Sequence, residues 1–337
     1  MCHKVSILVP VYGVEKCIER CAVSLFEQTY ENIEYVFVND CTPDNSINIL
    51  NTVLSKYPHR YSAVKIINHS ENKGLAAARN TAVAAASGEF IIHVDSDDYL
   101  SLNAIEKLIE KQIEDSSDII TPGYIVYHKN YVEKWTVSNV DTPFEMTENI
   151  LARRTLVCVA GRLIRRSLYS DFSIKAIESI NMGEDYSVSP LLYFYASKIS
   201  TLDLFLYHYD CTNENSYTYS FSEYKCEQVW FVFDYLDAFF KNKGSKYRRS
   251  LDVARASIIV EQMKLSALAQ KGESYYIKLL NRLSHINKLI FKDFALYDKI
   301  LLNINNYDVL KVYVNFAFGI KKIIKKMNFA KIEKLYD

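Results

Sequence analysis

Apolar and polar residues follow two alternating patterns along the first 100 residues. Short apolar runs of strand length, such as Val5–Val9 and Phe90–Val94, are separated by segments whose apolar residues recur at helical spacing. This alternation predicts βαβ units, in which parallel strands form a sheet with helices on both faces. The predicted strands cover residues 5–9, 34–38, 64–68 and 90–94, and the predicted helices cover residues 15–28, 46–57 and 76–86.

The rest of the chain divides into two parts. Residues 119–217 mix strand-like runs with helical segments, and we expect them to complete the same domain. Beyond residue 222 long helical periods dominate, with Gly244 and Gly272 as breaks. The sequence therefore predicts an α/β domain over residues 1–220, with halves at about 1–100 and 101–220, and a helical region over residues 221–337. The helical periods cover roughly residues 223–241, 246–270, 274–291 and 306–327.

Composition and charge exclude several classes of protein. With 49% apolar residues, the 337-residue chain can bury a sizeable core. Forty basic and forty acidic residues leave a net charge of zero, so no global field attracts nucleic acid. The seven cysteines form no C-x-x-C pair, which argues against a disulfide framework or zinc cluster and favours the reducing cytoplasm. We identify neither a signal peptide nor the roughly 18 consecutive apolar residues that span a bilayer.

Acidic residues follow two of the predicted strands. Asp40 comes after the second strand, and Asp95, Asp97 and Asp98 follow the fourth. Ligands of open α/β sheets bind outside the carboxyl ends of the strands, so a site is expected here. Three carboxylates within one turn repel each other unless a cation offsets their charge, and oxygen ligands favour Mg²⁺ or Mn²⁺ bridged to substrate phosphates. For D-x-D-D alone, the alternative is a solvated turn with aspartate as a helix cap.

Four motifs follow one another along the first 100 residues. They are residues 5–15 (VSILVPVYGVE), 34–46 (EYVFVNDCTPDNS), 72–80 (NKGLAAARN) and 95–98 (DSDD). In this order they resemble glycosyltransferase family 2. The resemblance is dense over the first 100 residues and looser to about residue 217, through residues 161–169 (GRLIRRSLY) and 183–186 (GEDY). It implies a GT-A, Rossmann-like fold with a mostly parallel sheet, a nucleotide-sugar donor and inversion at the anomeric carbon.

The resemblance also implies roles for individual residues. The positions that match donor-binding residues are Pro10, Val11, Tyr12, Glu15, Asp40, Lys73, Gly74, Arg79, Asp95 and Ser96. Asp40 matches the aspartate that accepts the imide N–H of uracil, and Lys73 and Arg79 match cations near the diphosphate. Asp97 matches the direct metal ligand, with Asp95 and Asp98 as the other members of the metal set. The alternatives are a turn cap for Asp40 and solvated surface charges for the two cations.

An inverting displacement needs a base opposite the leaving group, which takes the proton of the acceptor hydroxyl. By resemblance, Asp185 matches the acidic position on the acceptor side, and Glu184 is the fallback. The alternative is that both acids only stabilise the N-terminus of the following helix.

Three other features carry weaker hypotheses. His208 is interpreted as a hydrogen-bonded edge histidine rather than a contact to the diphosphate or metal. Tyrosines around Tyr217 to Tyr224 are candidates for stacking on acceptor sugars. The stretch Lys311–Lys331 has six lysines and no acidic residue among spaced apolar residues, which predicts peripheral contact with anionic lipid. Its alternative is a terminal helix packed on its own domain.

We therefore expect a hexosyl- or N-acetylhexosaminyl-transferase that uses a nucleotide diphosphate donor, most simply a UDP-sugar. The expected acceptor is a glycan or lipid-linked glycan of bacterial surface polysaccharide synthesis, reached at the inner face of the plasma membrane. The alternatives are a sugar-phosphate nucleotidylyltransferase, which would release pyrophosphate, and a non-catalytic nucleotide-sugar binding protein. The sequence does not specify the sugar, the acceptor, the linkage or the oligomeric state.

Overall fold

A computed structural model describes residues 3–136, 140, 142–180, 182–212, 222–268 and 272–317. The chain forms two compact units. The first comprises residues 1–219 and 228–239, and the second comprises residues 220–227 and 240–337.

The described part of the first unit contains a nine-stranded sheet and its covering helices. The strands are β1 (Val5–Val11), β2 (Ile33–Asn39), β3 (Val64–Asn68), β4 (Phe90–His93), β5 (Tyr99–Leu100), β6 (Ile119–Tyr127), β7 (Val132–Trp135), β8 (Leu163–Arg165) and β9 (Ile199–Asp210). The helices are α1 (Ile18–Phe26), α2 (Ser46–Leu54), α3 (Leu75–Ala85), α4 (Ala104–Asp115), α5 (Pro143–Leu151), α6 (Ser167–Asp171), α7 (Glu184–Tyr195) and residues 228–239 of α8 (Glu223–Phe240). A 3₁₀ helix covers Pro58–Ala63.

The sheet has the strand order β3-β2-β1-β4-β8-β6-β9-β5, and β7 pairs with β6. Strands β1 to β4, β6 and β9 run in one direction, whereas β5, β7 and β8 run against them. This confirms the predicted mostly parallel sheet. The antiparallel strands were not predicted, because β5 and β8 are only two and three residues long and carry little periodicity.

The core explains why the first half of the chain follows so clear a pattern. Strand β1 is buried along its whole length, as expected for a parallel strand covered on both faces. Helix α1 buries Ile18, Ala22 and Leu25, which lie on one helical face. Helix α3 packs against β1 and β2 through alanines, whose small side chains allow a close approach of helix and sheet.

The described part of the second unit is helical. It includes α9 (Ser245–Leu268), α10 (Glu273–Ser284), a 3₁₀ helix (Lys288–Asp293), α11 (Leu296–Asn303) and a helical segment at residues 307–317. The single helix predicted over residues 274–291 was wrong at its end. Helix α10 ends at Ser284, and Asn287 then starts a separate 3₁₀ helix, because its side chain accepts a hydrogen bond from Leu289 N at 3.0 Å. None of the described helices has both the length and the apolar character needed to cross a membrane.

Candidate active site

The loops that follow β1, β2 and β4 lie side by side at one edge of the sheet. Strand β1 pairs in parallel with β2 on one side and with β4 on the other. Their carboxyl ends therefore bring together the loop after Val11, the loop after Asn39 and the acidic turn Asp95–Asp98. The strand pattern of the sequence predicted this arrangement.

Backbone hydrogen bonds connect the first two of these loops. Gly13 N donates to Thr42 Oγ1 at 2.9 Å, and Glu15 N donates to Asp44 Oδ2 at 2.9 Å. In return, Asn45 N donates to Glu15 Oε2 at 3.3 Å. The two loops thus form one connected rim beside the ends of β1 and β2.

The four first-loop positions predicted to hold the base and ribose differ in environment. Pro10 and Val11 belong to β1, and their side chains are buried in the sheet. Tyr12 and Glu15 are exposed at its carboxyl end. Only the latter two present side chains to a ligand at this rim.

Asp40 is buried at the end of β2, where it holds the turn that begins α3. Its Oδ1 lies 2.7 Å from His69 Nδ1 and accepts a hydrogen bond from Lys73 N at 2.9 Å, while its Oδ2 accepts one from Gly74 N at 2.8 Å. Gly74 has φ +87°, which glycine adopts without steric cost, and the side chain of Lys73 is exposed at the same turn. These donors occupy three of about four lone-pair positions of the carboxylate. Its contact with uracil stays a prediction.

Arg79 lies in the interior, with only 5% of its side chain exposed. Its Nη2 donates to Asp95 Oδ1 at 2.8 Å, and its Nη1 donates to Glu184 Oε1 at 3.1 Å and to Asp185 Oδ1. Burial alone lowers the pKa of the guanidinium, but the charges of Asp185, Asp95 and Glu184 hold that pKa well above its ordinary value. These three carboxylates surround the guanidinium and compensate its charge, and its predicted position near the diphosphate stays a prediction.

The acidic turn holds its aspartates in two different environments. Asp98 is buried, and its Oδ2 and Oδ1 accept hydrogen bonds from Tyr207 Oη at 2.6 Å and Asp210 N at 2.8 Å. Burial, followed by the charges of Asp95 and Asp97, raises the pKa of Asp98 well above its ordinary value. Asp95 and Asp97 are part-exposed, and Ser96 between them is buried.

The predicted metal set of three aspartates stays a prediction, and the structure places its members in different environments. Within the described residues, no three His, Cys, Asp or Glu side chains are arranged to hold a metal ion. Asp98 turns inward because the hydroxyl of Tyr207 and the backbone of Asp210 satisfy both its oxygens. The part-exposed pair Asp95 and Asp97 still fits a hard cation, since Mg²⁺ and Mn²⁺ commonly take one or two protein carboxylates and complete their shell with substrate phosphates and water.

The predicted base and its neighbour begin α7, directly after Gly183 at φ +91°. The side chain of Glu184 is 11% exposed and that of Asp185 is 18% exposed. Burial and the charge of Asp185 raise the pKa of Glu184 to about 7, although Arg79 lowers it in part. Burial also raises the pKa of Asp185, against the opposing effect of Arg79. The sequence placed these acids at a helix start, and the fold brings them to the guanidinium that contacts Asp95.

Comparison with known proteins identifies the family. The family model of glycosyl transferase family 2 matches residues 6–172. The Bacillus subtilis (strain 168) protein EpsH is 30% identical over 262 residues, which make up 74% of this chain and 73% of EpsH. The chain belongs to glycosyltransferase family 2. Its motifs predicted this membership.

Two further relatives cover less of this glycosyltransferase. EpsJ of Bacillus subtilis (strain 168), an uncharacterized glycosyltransferase, is 36% identical over 221 residues, or 64% of this chain and 62% of EpsJ. The Escherichia coli UDP-Glc:α-D-GlcNAc-diphosphoundecaprenol β-1,3-glucosyltransferase WfgD is 29% identical over 184 residues, or 55% of this chain and 67% of WfgD. The chain thus spans less than two thirds of the length of EpsJ.

Solved structures share its fold. Staphylococcus aureus TarS 1–349, in complex with UDP-GlcNAc, superposes with a TM-score of 0.70 at 20% identity, covering 95% of this chain and 92% of that one. The mannosyltransferase PcManGT from Pyrobaculum calidifontis, in complex with GDP-Man and Mn²⁺, gives 0.54 at 14% identity, covering 97% and 88%. These matches confirm the predicted α/β fold with its helical C-terminal region.

Sequence reasoning missed the residues of the glycosyltransferase that support the acidic turn from β9 and α1. Tyr207 Oη accepts a hydrogen bond from Asp95 N at 3.2 Å in addition to its bond with Asp98. Arg20 Nη2 donates to the carbonyl oxygen of Asp97 at 2.8 Å and to Asp210 Oδ2 at 2.6 Å. The only signal in the sequence was an aspartate at the end of an aromatic strand, which does not reveal its partner.

The environment of His208 agrees with the prediction of a hydrogen-bonded edge histidine. Its Nε2 lies 2.9 Å from Ser101 Oγ, its Nδ1 lies 2.9 Å from Tyr127 Oη, and its ring stacks on Tyr99 at 4.3 Å between centroids. The predicted stacking residues at positions 217–221 lie outside the described residues, and Tyr224 is exposed in the second unit.

Proposed function

We propose that this glycosyltransferase transfers a hexosyl or N-acetylhexosaminyl group from a UDP-sugar to a hydroxyl of a glycan or lipid-linked glycan, with inversion at the anomeric carbon. The UDP-GlcNAc complex of TarS supports the donor class, and the lipid-linked acceptor named for WfgD supports the acceptor class. We place this reaction in surface polysaccharide synthesis, because the acceptor named for WfgD is a lipid-linked sugar. The catalytic machinery is assigned to residues 1–220.

One observation carries this proposal. The guanidinium of Arg79 contacts Asp95 through one nitrogen and Asp185 through the other. Asp95 belongs to the acidic turn proposed to face the donor diphosphate, and Asp185 is the proposed base. Because one planar group contacts both carboxylates, they are held at a fixed spacing, as a reaction between two bound substrates requires.

The proposed chemistry is a direct displacement at the anomeric carbon. As the acceptor oxygen forms its bond to this carbon, Asp185 takes the hydroxyl proton, and the bond to the β-phosphate oxygen breaks with its electron pair left on UDP. Asp185 suits this role better than Glu184, because it is the more exposed of the two. Its raised pKa makes it a stronger base than an ordinary aspartate.

Asp95 and Asp97 are the residues proposed to hold Mg²⁺ or Mn²⁺. When bound, such an ion supplies positive charge that stabilises the departing diphosphate. Arg20 fixes the backbone of Asp97 through its carbonyl oxygen, and Tyr207 fixes that of Asp95 through its amide. Tyr12 and Glu15 are the exposed residues assigned to the base and ribose, and Lys73 is the exposed cation assigned to the diphosphate.

Membrane contact through Lys311–Lys331 is part of the same proposal, because a lipid-linked acceptor lies at the cytoplasmic face of the membrane. The structure describes this stretch as far as residue 317, where Val312 and Phe316 are exposed. Exposed apolar residues beside lysines favour binding to an anionic lipid surface.

A nucleotide-sugar screen by thermal unfolding tests the proposal. UDP-GlcNAc, UDP-glucose and GDP-mannose are each added with and without Mn²⁺, since a ligand that binds the folded state raises the unfolding temperature. We expect stabilisation by a UDP-sugar that needs the metal, is lost in Asp97→Ala, and is followed by UDP release when acceptor is added. Release of pyrophosphate, or no stabilisation by any nucleotide sugar, would contradict the proposal.

A further inference from the structure

One face of the sheet carries a group of aromatic side chains near the carboxyl ends of β6 and β9. Tyr124 on β6 pairs with Trp135 on β7 and with Tyr207 on β9. Paired residues on neighbouring strands share a face, so these three rings lie on the same side of the sheet. Tyr209 is two residues beyond Tyr207 and therefore lies on that side as well.

The two inner rings of this face contact the proposed catalytic elements. Tyr207 Oη bonds to both ends of the acidic turn, at Asp95 N and Asp98 Oδ2. Tyr124 Oη donates to the carbonyl oxygen of Ala160 at 2.8 Å. The neighbouring residue Val159 hydrogen-bonds through its backbone to Asp185. The face therefore adjoins both the acidic turn and the loop beside the proposed base.

The two outer rings form a pair at the surface. The ring centroids of Trp135 and Tyr209 are 6.2 Å apart, and their planes make an angle of 54°. Tyr209 is 38% exposed, and Trp135 is partly buried against the core. Single exposed aromatics are common on protein surfaces. Two adjoining aromatics beside convergent carboxylates are instead a typical composition of a ligand site.

The strand order places this pair on the acceptor side. The rim with Tyr12 and Glu15 follows β1 and β2, whereas Trp135 and Tyr209 lie on β7 and β9. Strands β4, β8 and β6 separate β1 from β9, and the acidic turn follows β4. The aromatic pair is therefore on the opposite side of the acidic turn from the rim assigned to the nucleotide.

We propose that Trp135 and Tyr209 form a stacking subsite for a pyranose ring of the acceptor. This inference rests on the proposed function, which supplies a glycan acceptor as the substrate whose sugar the subsite would bind. The C–H face of a pyranose is apolar and flat enough to cover an aromatic ring, while its hydroxyls remain available to polar groups. A stacking contact of this kind is modest in strength, so the subsite adds orientation more than affinity.

Saturation-transfer NMR tests the subsite without turnover. The probes are methyl α-GlcNAc and methyl β-glucoside, each added to protein saturated with UDP and Mg²⁺, which is diamagnetic and does not broaden the signals. We expect transfer to the ring C–H protons that is retained in Tyr209→Phe and falls roughly three- to tenfold in Tyr209→Ala. The matched control is Tyr61→Ala, since Tyr61 is 50% exposed on the 3₁₀ helix that precedes β3, at the opposite strand ends. No transfer to either glycoside, or equal loss in the control, overturns the proposal.

The fluorescence of Trp135 gives a second readout that does not depend on how the tyrosine variants fold. The chain has two tryptophans, so Trp230→Phe leaves Trp135 as the single emitter. Titration of this variant with the same glycosides is expected to shift its emission, and unchanged emission at saturating glycoside contradicts the subsite. UDP binding measured on the same sample separates the two proposals. Glycoside binding that fails while UDP still binds removes only the subsite, whereas loss of UDP binding itself contradicts the proposed function.

Discussion

Arg79 on α3 and Asp185 on α7 are 106 positions apart in the chain and form an ion pair in the interior. The same guanidinium contacts Asp95 at the end of β4. A buried arginine therefore connects the two motifs that the proposed reaction needs. Its net charge is compensated only while its carboxylate partners are present, so this contact affects both stability and geometry.

Replacing Arg79 is expected to lower both the stability of the fold and the rate of transfer. In Arg79→Met the three carboxylates lose their cation, and unfolding in urea should show a loss of about 3–5 kcal/mol. In Arg79→Lys the charge remains, but an ammonium group cannot reproduce the planar fork, so kcat should fall about 100-fold. The exposed Arg248 provides the control, and Arg248→Met should leave both unfolding and kcat nearly unchanged. Wild-type kcat in Arg79→Lys would show that the spacing of the two carboxylates does not matter.

The aspartates of the acidic turn are expected to separate into two classes. Asp98→Asn replaces a buried acceptor by an amide, and the free energy of unfolding should fall by about 1–3 kcal/mol. The Mn²⁺ concentration for half-maximal activity should stay the same, because Asp98 faces Tyr207 and Asp210. Asp97→Ala should differ in its metal response, with a large rise in the Mn²⁺ requirement. A metal requirement that changes in Asp98→Asn would contradict this division.

The sequence predicted the strand ends well and the contacts of individual side chains less well. The positions of Asp40 and Asp95 follow from the strand pattern alone, because the apolar runs mark where β2 and β4 stop. The inward turn of Asp98 depends on Tyr207, which is 109 positions away. D-x-D-D presents chemically equal carboxylates, so only the tertiary fold decides which of them faces solvent.

The case of Arg79 has a similar physical reason. An arginine in the first turns of a helix after a glycine is as compatible with a phosphate as with a carboxylate. Its position on α3 is local information, whereas Asp185 arrives from a helix in another part of the chain. Glu184 and Asp185 were recognisable from their motif, but the cation that they share with Asp95 was not.

Stability is expected to fall in acid through Glu34, a buried carboxylate on β2. Burial raises the pKa of Glu34, but hydrogen bonds from Ser6, Ser87 and Lys65 outweigh it and hold that pKa well below its ordinary value of 4.5. Because the folded pKa is the lower one, the stabilisation is complete above about pH 4.5 and is lost as the pH falls below it. Chemical unfolding between neutral pH and pH 3 measures this loss.

Glu34→Gln should remove that dependence. At neutral pH the free energy of unfolding of this variant should be about 2–3 kcal/mol lower than that of the wild type. The amide has only one acceptor oxygen, so some of the buried donors lose their partner. The stability of the variant should then change little between pH 5 and pH 3 compared with the wild type. Glu19→Gln, at an exposed carboxylate, is the control and should follow the wild-type curve. Parallel curves for wild type and Glu34→Gln would contradict the assignment.

Gly161 is expected to be sensitive to any side chain. Its φ is +79°, and an added Cβ would lie 2.7 Å from the ring of Tyr207 and 3.1 Å from that of Tyr124. Gly161→Ala should therefore cost about 2–4 kcal/mol, from backbone strain and from the displaced ring. Gly13 has φ +67° with no atom within 4 Å of such a Cβ, so Gly13→Ala measures backbone strain alone. Equal losses of stability in the two variants would show that the ring contact contributes nothing.

The central claim is that Asp185 deprotonates the acceptor while the acidic turn holds the donor. Its most direct test is to measure the single-turnover transfer rate and UDP affinity on the same preparation of Asp185→Asn, below its unfolding temperature. The account predicts a transfer rate lower by about 10²–10⁴-fold, UDP affinity close to that of the wild type, and a smaller effect in Glu184→Gln. A transfer rate near that of the wild type, or loss of UDP binding in step with transfer, would contradict it.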